Sequence, residues 1–262
     1  MRSEVPIFVM GAPRSGTTVT CWLIGQHPAY RHLWFETWIF SYGLDELLRS
    51  PTCMWSLHNF EKRFWGEVYY RTAPGYDGCG VSNYCEESKA KAALEFLKRR
   101  VIGGEPMKDA VRQFVDTLFM DDKQPSFVEK TPNHALVCDS IRRVYPDAVF
   151  VVPIRNKEDV VESLGERPWA PSKDERQLLS YVDSYYSALI ELGEGDAKIN
   201  RTIFFDMKQM CDSPEVLIEQ LIRLGIPEAG MDTVRSAHSS QVRKSTLMKR
   251  RDERAKRTTV NL

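Results

Sequence analysis

A short loop near the amino terminus has the residue types and spacing of a phosphate-binding site. It reads Gly11-Ala12-Pro13-Arg14-Ser15-Gly16-Thr17-Thr18 and lies between an apolar run, predicted to be a strand, and a predicted helix. That arrangement presents backbone N–H groups and a helix N-terminus to a phosphate. Gly11, Gly16 and Thr18 occupy the positions that a nucleotide P-loop, G-x-x-x-x-G-K-[ST], requires.

The loop differs from a nucleotide P-loop at one position, where Thr17 replaces the lysine. In NTPases that lysine reaches the β- and γ-phosphates, so we do not expect this loop to handle a triphosphate. The only nearby cation is Arg14, inside the loop itself. The sequence therefore predicts a site for one 5′-phosphate. The alternative is a tight strand–helix turn that binds no ligand.

Further polar side chains follow the predicted strands at residues 126–128 and 148–154. Lys130 follows the first of these strands, Arg155 follows the second, and Ser163 lies eight residues beyond Arg155 on the next predicted helix. Ligands of parallel α/β sheets bind at the C-terminal ends of the strands. Arg155 and Ser163 are spaced to hold a second phosphate on the other side of a nucleoside. A nucleotide with separate 5′- and 3′-phosphates fits this pattern better than ATP.

The elements that must position these residues alternate between strands and helices, which indicates an α/β fold with a mostly parallel sheet. The β-branched run at 148–154 is typical of a central strand that is buried on both faces. We expect a P-loop-type three-layer fold in a single domain covering residues 1–262. Residues 37–125 are predicted to form a helical insertion on the substrate side that shapes the acceptor pocket. Residues 236–262 read as a basic, poorly patterned tail.

Composition excludes several classes of function. The 262 residues include 36 basic and 36 acidic side chains, so the net charge gives no global attraction to nucleic acid or to an anionic membrane. The cysteines and histidines lack metal-binding spacing. Neither a secretory signal nor an apolar run long enough to cross a bilayer is visible. We expect a cytoplasmic protein with no metal, no nucleic-acid partner and no membrane contact.

Taken together, these motifs resemble those of the PAPS-dependent sulfotransferases. The resemblance rests on residues 13–18, on Glu129-Lys130-Thr131-Pro132, and on Arg155 with Ser163, in that order along the chain. It is strongest to the branch that includes bacterial, carbohydrate and protein-tyrosine sulfotransferases. It implies 3′-phosphoadenosine-5′-phosphosulfate (PAPS) as donor, adenosine 3′,5′-bisphosphate (PAP) as product, and no metal.

The resemblance also implies roles for the matched residues. Arg14, Ser15, Gly16, Thr17 and Thr18 would bind the 5′-phosphosulfate. A second pair, Arg155 and Ser163, would bind the 3′-phosphate. Lys130 would lie near the sulfuryl group, where it and Arg14 offset developing charge.

Two departures from the family pattern concern the 3′-phosphate. Asn156 and Lys157 follow Arg155 where the family usually has Asp-Pro, so the start of the next helix is expected to differ. The family's C-terminal basic loop has one candidate here, Arg243 with Lys244, and the alternative is a disordered basic tail.

The resemblance points to Glu36 as the base that accepts the acceptor's proton. In this branch a glutamate follows the histidine-proline after the first helix, and Glu36 lies eight residues beyond Pro28. An ordinary helix-capping glutamate is the alternative reading. His134 and His32 are rival bases.

The acceptor is expected to be a hydroxyl or amine of a small molecule or carbohydrate, attacked in line at sulfur. Trp34, Trp38, Arg167 and Trp169 are candidates for its pocket. Two other functions stay open. One is a P-loop small-molecule kinase, which would require a lysine at position 17 and an acidic side chain that holds magnesium. The other is a non-catalytic nucleotide-binding protein.

Overall fold

The computed structural model describes residues 5–50, 53–71, 78–197 and 199–241. Within these ranges the chain forms a five-stranded sheet in the order β2-β3-β1-β4-β5, with every neighbouring pair parallel. The strands are β1 (Ile7–Val9), β2 (Tyr30–Leu33), β3 (Ser126–Lys130), β4 (Val149–Ile154) and β5 (Thr202–Asp206). The prediction of an α/β fold with a parallel sheet is confirmed.

Helices connect the strands and cover the sheet. They are α1 (Thr17–Ile24), α2 (Asp45–Arg49), α3 (Cys53–Arg63), α4 (Glu87–Ile102), α5 (Met107–Phe119), α6 (Cys138–Val144), α7 (Lys157–Gly165), α8 (Glu175–Asp196), α9 (Met207–Asp212), α10 (Glu215–Arg223) and α11 (Met231–Gln241). Two π-helical turns, Phe40–Leu44 and Phe64–Tyr69, and two 3₁₀ turns, Val81–Asn83 and Pro132–Leu136, complete the described elements.

Successive strand residues enter two different cores because side chains alternate between the faces of a sheet. Phe8 packs edge-on against Phe127 and Phe150 on one face. Ile7 and Val149 belong to the core on the other face, which α1 and α10 cover. The chain therefore has three layers, and the central strands are apolar on both sides, as parallel sheets require.

The helical region between β2 and β3 packs on the Phe8 face of the sheet. Phe40 and Phe114, from the start and the end of this region, lie in the same core as Phe8. Phe40 contacts Phe8 directly, with ring centroids 5.8 Å apart. The region is helical, as predicted, and its packing fixes it to one flank of the sheet.

The carboxyl end of the described chain differs from the sequence-based expectation. Residues 236–241 are not an unpatterned tail but the second half of α11. Met231, Val234 and His238 share the buried face of that helix, and the His238 ring bonds to the carbonyl of Met210 at 2.7 Å. Arg243 and Lys244 lie outside the described residues.

Candidate active site

The carboxyl ends of four adjacent strands bring the candidate residues to one edge of the sheet. Val9, at the end of β1, lies level with Lys130 on one side and Val151 on the other. The amide of Gly11 donates to the carbonyl of Pro132, so the loop of residues 11–18 lies beside the end of β3. This edge is where ligands of parallel sheets bind.

The loop after β1 has a backbone shape that restricts its residue types. Gly16 has φ 110° and caps α1, and Arg14 has φ 73°. A Cβ atom on Gly16 would lie 2.5 Å from the sulfur of Met207. The conformation therefore favours glycine at position 16, and any larger residue would also displace the Met207 side chain. The first N–H groups of α1 have no intrahelical partner and form a site for an anion.

Ser15 gives independent support for a ligand at this loop. Its side chain is buried to 1% exposure, and its Oγ atom has no hydrogen-bond partner among the described residues. A buried hydroxyl without a partner is costly, so such atoms usually face a ligand or an ion. Thr17 is also buried, whereas Thr18 is exposed. The loop therefore fits a phosphate group.

Arg14, Arg155 and Ser163 meet beside the loop. The Nε atom of Arg14 donates to Ser163 Oγ at 3.2 Å, and Arg155 Nη1 donates to the backbone carbonyl of Arg14 at 3.2 Å. Asp159 lies 3.7 Å from Arg155 Nε and orients that guanidinium. Two arginines and a hydroxyl from three elements thus form one cationic cluster.

Asn156 explains how the chain tolerates its departure from the family pattern. Its side chain accepts hydrogen bonds from the amides of Glu158 at 2.9 Å and Asp159 at 3.3 Å. Asparagine is a strong helix N-cap, so α7 begins at Lys157. Because α7 begins at Lys157, Ser163 lies about two turns along the helix, where its hydroxyl contacts Arg14 of the loop.

A partly buried ion pair lies on the other side of the loop. Lys130 Nζ is 2.8 Å from Glu36 Oε1, and the two side chains are 7% and 16% exposed. Lys130 ends β3, and Glu36 follows β2, the neighbouring strand. The two residues that sequence reasoning selected as cation and base are thus in direct contact.

Glu129, the residue before Lys130, lies in a buried polar network. Its Oε1 atom accepts from the hydroxyls of Thr131 at 2.6 Å and Thr37 at 2.8 Å, and its Oε2 atom bonds to His134 Nδ1 at 2.9 Å. Burial raises the pKa of the Glu129 carboxyl, and the bonds from His134, Thr131 and Thr37 outweigh it, so the pKa lies below its usual range.

The position of His134 differs from that expected of a base at an open site. The ring is fully buried, and its Nε2 atom accepts from the amide of Phe40 at 3.3 Å while Nδ1 faces Glu129. Both ring nitrogens are therefore engaged inside the core. The other rival base, His32, contacts Trp34 edge-on, and burial lowers its pKa to about 4.

The residues predicted to line the acceptor pocket occupy different environments. Trp34 is 42% exposed, close in the chain to Glu36, whereas Trp38 is only 2% exposed. Arg71 covers Trp38, with its guanidinium carbon 4.1 Å from the ring centroid. Trp169 packs against the core, and Arg167 is half-buried after α7.

Sequence reasoning assigned no role to Glu129, Thr37 or Thr131. One signal for Glu129 exists in the sequence. The alternation along β3 places position 129 on the same face as Phe127, which is buried. A charged residue at a buried strand position requires partners, and this requirement predicts a polar network.

A cavity of about 550 Å³ lies apart from these residues, between α6 and α8. An ion pair between Arg142 and Asp196, 3.0 Å long, forms part of its wall. It includes none of the candidate residues. Among the described residues we find no cluster of metal-ligating side chains. The helices of the described ranges are each too short or too polar to cross a membrane.

The fold and the residues at the sheet edge define an α/β protein of the sulfotransferase type. It resembles sulfotransferase STF9 from Mycobacterium avium, with a TM-score of 0.52 and 18% identity over 92% of this chain and 70% of that one. It also resembles the sulfotransferase domain from the Synechococcus PCC 7002 olefin synthase, with a TM-score of 0.55 and 14% identity over 87% and 76%. At these identities the likeness shows the fold alone.

Sequence comparison establishes the family. The profile of the Sulfotransferase family matches residues 6–227. The chain is also 26% identical over 264 residues to the nodulation protein NoeE of Sinorhizobium fredii (strain NBRC 101917 / NGR234), across 99% of this chain and 51% of that protein. This chain belongs to the sulfotransferase family, which confirms the resemblance. It spans about half the length of that curated relative.

Proposed function

We propose that this protein transfers a sulfuryl group from PAPS to a hydroxyl or amine of a small-molecule or carbohydrate acceptor. Membership of the sulfotransferase family supports sulfuryl transfer in general. The observation that carries the choice of donor is the meeting of Arg14, Arg155 and Ser163 beside a loop that lacks the P-loop lysine. This cluster provides positive charge for a phosphate on the 3′-oxygen of the ribose, which PAPS has and ATP lacks.

The donor side of the proposed site has two parts. Ser15, Gly16, Thr17 and Thr18 would hold the 5′-phosphosulfate through backbone amides and hydroxyls, with Arg14 supplying the charge. Arg155 and Ser163 would hold the 3′-phosphate. Arg243 and Lys244 remain candidates for the same phosphate from the carboxyl-terminal segment. When bound, PAPS supplies the sulfuryl group.

Glu36 and Lys130 are proposed to act in the transfer step, Glu36 as the base and Lys130 as the positive charge. In the proposed reaction the acceptor oxygen or nitrogen bonds to sulfur, and the bond between sulfur and the 5′-phosphate oxygen breaks. Glu36 takes the proton that the acceptor loses. Lys130 offsets the negative charge that develops on the leaving phosphate oxygen, and Arg14 assists it. The two buried ring nitrogens of His134 leave Glu36 as the better candidate base.

The acceptor side is proposed to lie between Glu36 and α8. Tyr181 and Tyr185 share a hydroxyl–hydroxyl bond of 2.8 Å, and Tyr185 donates to Asn133 at 2.8 Å. Burial raises the pKa of Tyr181, and the charge of Glu36 makes a smaller contribution in the same direction. Trp34 would provide an exposed aromatic surface for the acceptor.

A ligand-binding experiment followed by an activity screen tests this function. Thermal shifts are measured with PAP, with ATP and Mg²⁺, and with no ligand, and labelled PAPS is then offered with panels of sugars, phenols and amines. Stabilisation by PAP together with a labelled product is expected. A preference for ATP would support the kinase instead. Binding of PAP without transfer to any acceptor or to water would support the non-catalytic nucleotide-binding protein.

The cytoplasmic location and the single-domain organisation stay predictions.

A further inference from the structure

We propose that Glu129 is a positioning residue that holds Glu36 and Lys130 at their working separation. The proposal rests on the proposed function, because it concerns the same pair. Glu129 precedes Lys130 in the chain, but its carboxylate bonds to neither charged group of the pair and acts through Thr37 and Thr131. Thr37 follows Glu36 in the chain, and Thr131 follows Lys130. The network therefore joins the two segments one residue away from each member of the pair.

The hydrogen bonds show how the two segments are joined. The Thr131 hydroxyl donates to Glu129 Oε1 and accepts from the amides of Thr37 at 3.2 Å and Trp38 at 3.3 Å. The Thr37 hydroxyl donates to the same oxygen and accepts from the amide of Ile39 at 3.4 Å. The Thr37 amide also donates to that oxygen at 3.4 Å. The segment after β2 is thus bonded to the end of β3 through one carboxylate oxygen of Glu129 and the Thr131 hydroxyl.

Each group in the network has a fixed direction of donation. The hydroxyls of Thr37 and Thr131 accept from backbone amides, so their protons point to Glu129. His134 Nε2 accepts from Phe40, so its Nδ1 carries the proton that faces Glu129. An ionised carboxylate is acceptor-only and suits this set, whereas an amide would turn an N–H toward a donor. The identity of the residue at 129 is therefore tied to the geometry.

Glu129 lies on the opposite face of β3 from Lys130, which is proposed to act in the reaction. Neighbouring residues of a strand point to opposite faces, so Glu129 is buried in the core while Lys130 reaches Glu36. A buried polar network whose groups are all hydrogen-bonded is rigid. A misplacement of 1 Å at a reacting group costs about 100-fold in rate, so such rigidity affects turnover directly.

Thr131→Val tests the proposal with little change of shape. The variant removes the hydroxyl that links Glu129 to the amides of Thr37 and Trp38. We expect kcat to fall by about 10- to 100-fold while the Kd for PAP changes by less than about twofold. Thr131→Ser restores the hydroxyl and is expected to recover most of kcat. If kcat of Thr131→Val stays near the wild-type value, or if Thr131→Ser is as slow, the proposal is overturned.

Tyr145→Phe is the matched control. It also removes a buried hydroxyl that donates to a carboxylate, here that of Asp116 at 2.7 Å, but it lies away from the site. We expect a loss of thermal stability with kcat unchanged. An equal fall of kcat in Tyr145→Phe would mean that general destabilisation, not positioning, slows Thr131→Val.

Two further measurements keep the proposal testable if no acceptor is known. Release of PAP from PAPS by transfer to water reports turnover without an acceptor. Hydrogen exchange of the Trp38 amide, which donates to the Thr131 hydroxyl, reports the junction itself, and we expect faster exchange in Thr131→Val than in wild type. Unchanged exchange would refute the proposal. A wild-type protein that neither binds PAP nor consumes PAPS would instead refute the proposed function.

Discussion

Lys130 and Glu36 are 94 positions apart in the chain, and their charged groups are 2.8 Å apart in the fold. The contact follows from the sheet order, because β2 and β3 are neighbours and both run toward the same edge. Arg14 and Ser163, 149 positions apart, meet at that edge in the same way. The sheet therefore assembles the proposed donor and proton-transfer groups.

Replacement of Glu36 by glutamine tests the proposed base. The amide keeps the shape of the side chain but does not accept a proton, so we expect turnover of PAPS to fall by about 10²- to 10⁴-fold. The Kd for PAP is expected to stay the same, since Glu36 lies outside the donor cluster, which consists of Arg14, Arg155 and Ser163. Glu215→Gln is the control, because it makes the same substitution and breaks an ion pair with Arg235, neither of which belongs to the proposed site. Full turnover in Glu36→Gln would place the base elsewhere.

Arg155→Ala tests which phosphate Arg155 binds. Loss of a charged hydrogen bond to the 3′-phosphate is expected to weaken PAP by about 10- to 100-fold and to leave adenosine 5′-monophosphate nearly unaffected. Isothermal titration with both nucleotides measures the difference. Arg143→Ala, which removes an exposed arginine of α6, is expected to change neither affinity. Equal losses for the two nucleotides in Arg155→Ala would contradict the role in 3′-phosphate binding.

Gly16→Ala tests the close approach between the loop and α9. The new Cβ atom would meet Met207 and would adopt an unfavourable left-handed conformation, so we expect weaker PAP binding and a lower Tm. Gly104→Ala is the matched control, because Gly104 also has a positive φ but a Cβ atom there would have no described atom within 4 Å. The conformational cost alone is about 1–2 kcal/mol in both variants.

The double variant Gly16→Ala with Met207→Ala separates the two contributions to that effect. Removal of the Met207 side chain is expected to relieve the contact and recover part of the PAP affinity. If Gly104→Ala and Gly16→Ala lose the same stability and neither loses PAP binding, the close approach is not what fixes the loop.

His32 predicts a pH dependence of stability. Burial lowers its pKa from the ordinary value of 6.5 to about 4, so between these values the unfolded chain binds a proton that the folded chain does not. Stability contributed by the neutral ring is therefore lost as the pH falls from 6.5 to about 4. We expect Tm to fall less over this interval in His32→Phe, which keeps a ring beside Trp34. Parallel Tm curves for the two proteins would contradict this prediction.

The elements that depend on short stretches of sequence were predicted from the sequence alone. The apolar run of β4, the glycines of the loop and the spacing of Arg155 and Ser163 are short-range signals, and the corresponding elements formed where expected. The order of the strands is a long-range property that periodicity does not contain, so the contact between Lys130 and Glu36 followed only from the fold. The resemblance had named both residues without their distance.

The buried network was missed for a related reason. Glu129, Thr131 and His134 lie within six positions, yet Thr37, which bonds to Glu129 and Thr131, follows another strand. Trp38 gives the converse case, a residue predicted to line a pocket that a distant part of the chain covers. Its residue type suits a pocket, but the chain places Arg71 over its ring. Burial of a single aromatic residue depends on what covers it, and the covering residue is 33 positions later in the sequence.

The crossover between β2 and β3 contains all of α2 to α5, although the two strands are neighbours in the sheet. The donor cluster depends on β1, β4 and α7, none of which belongs to that crossover. The described part of this crossover beyond Phe40 contributes no residue to the donor cluster or to the Glu129 network. In evolutionary terms, the proposed donor site is encoded outside the stretch of the gene that encodes the crossover. Exchange of the residues beyond Phe40 between relatives is the recombination that this architecture permits.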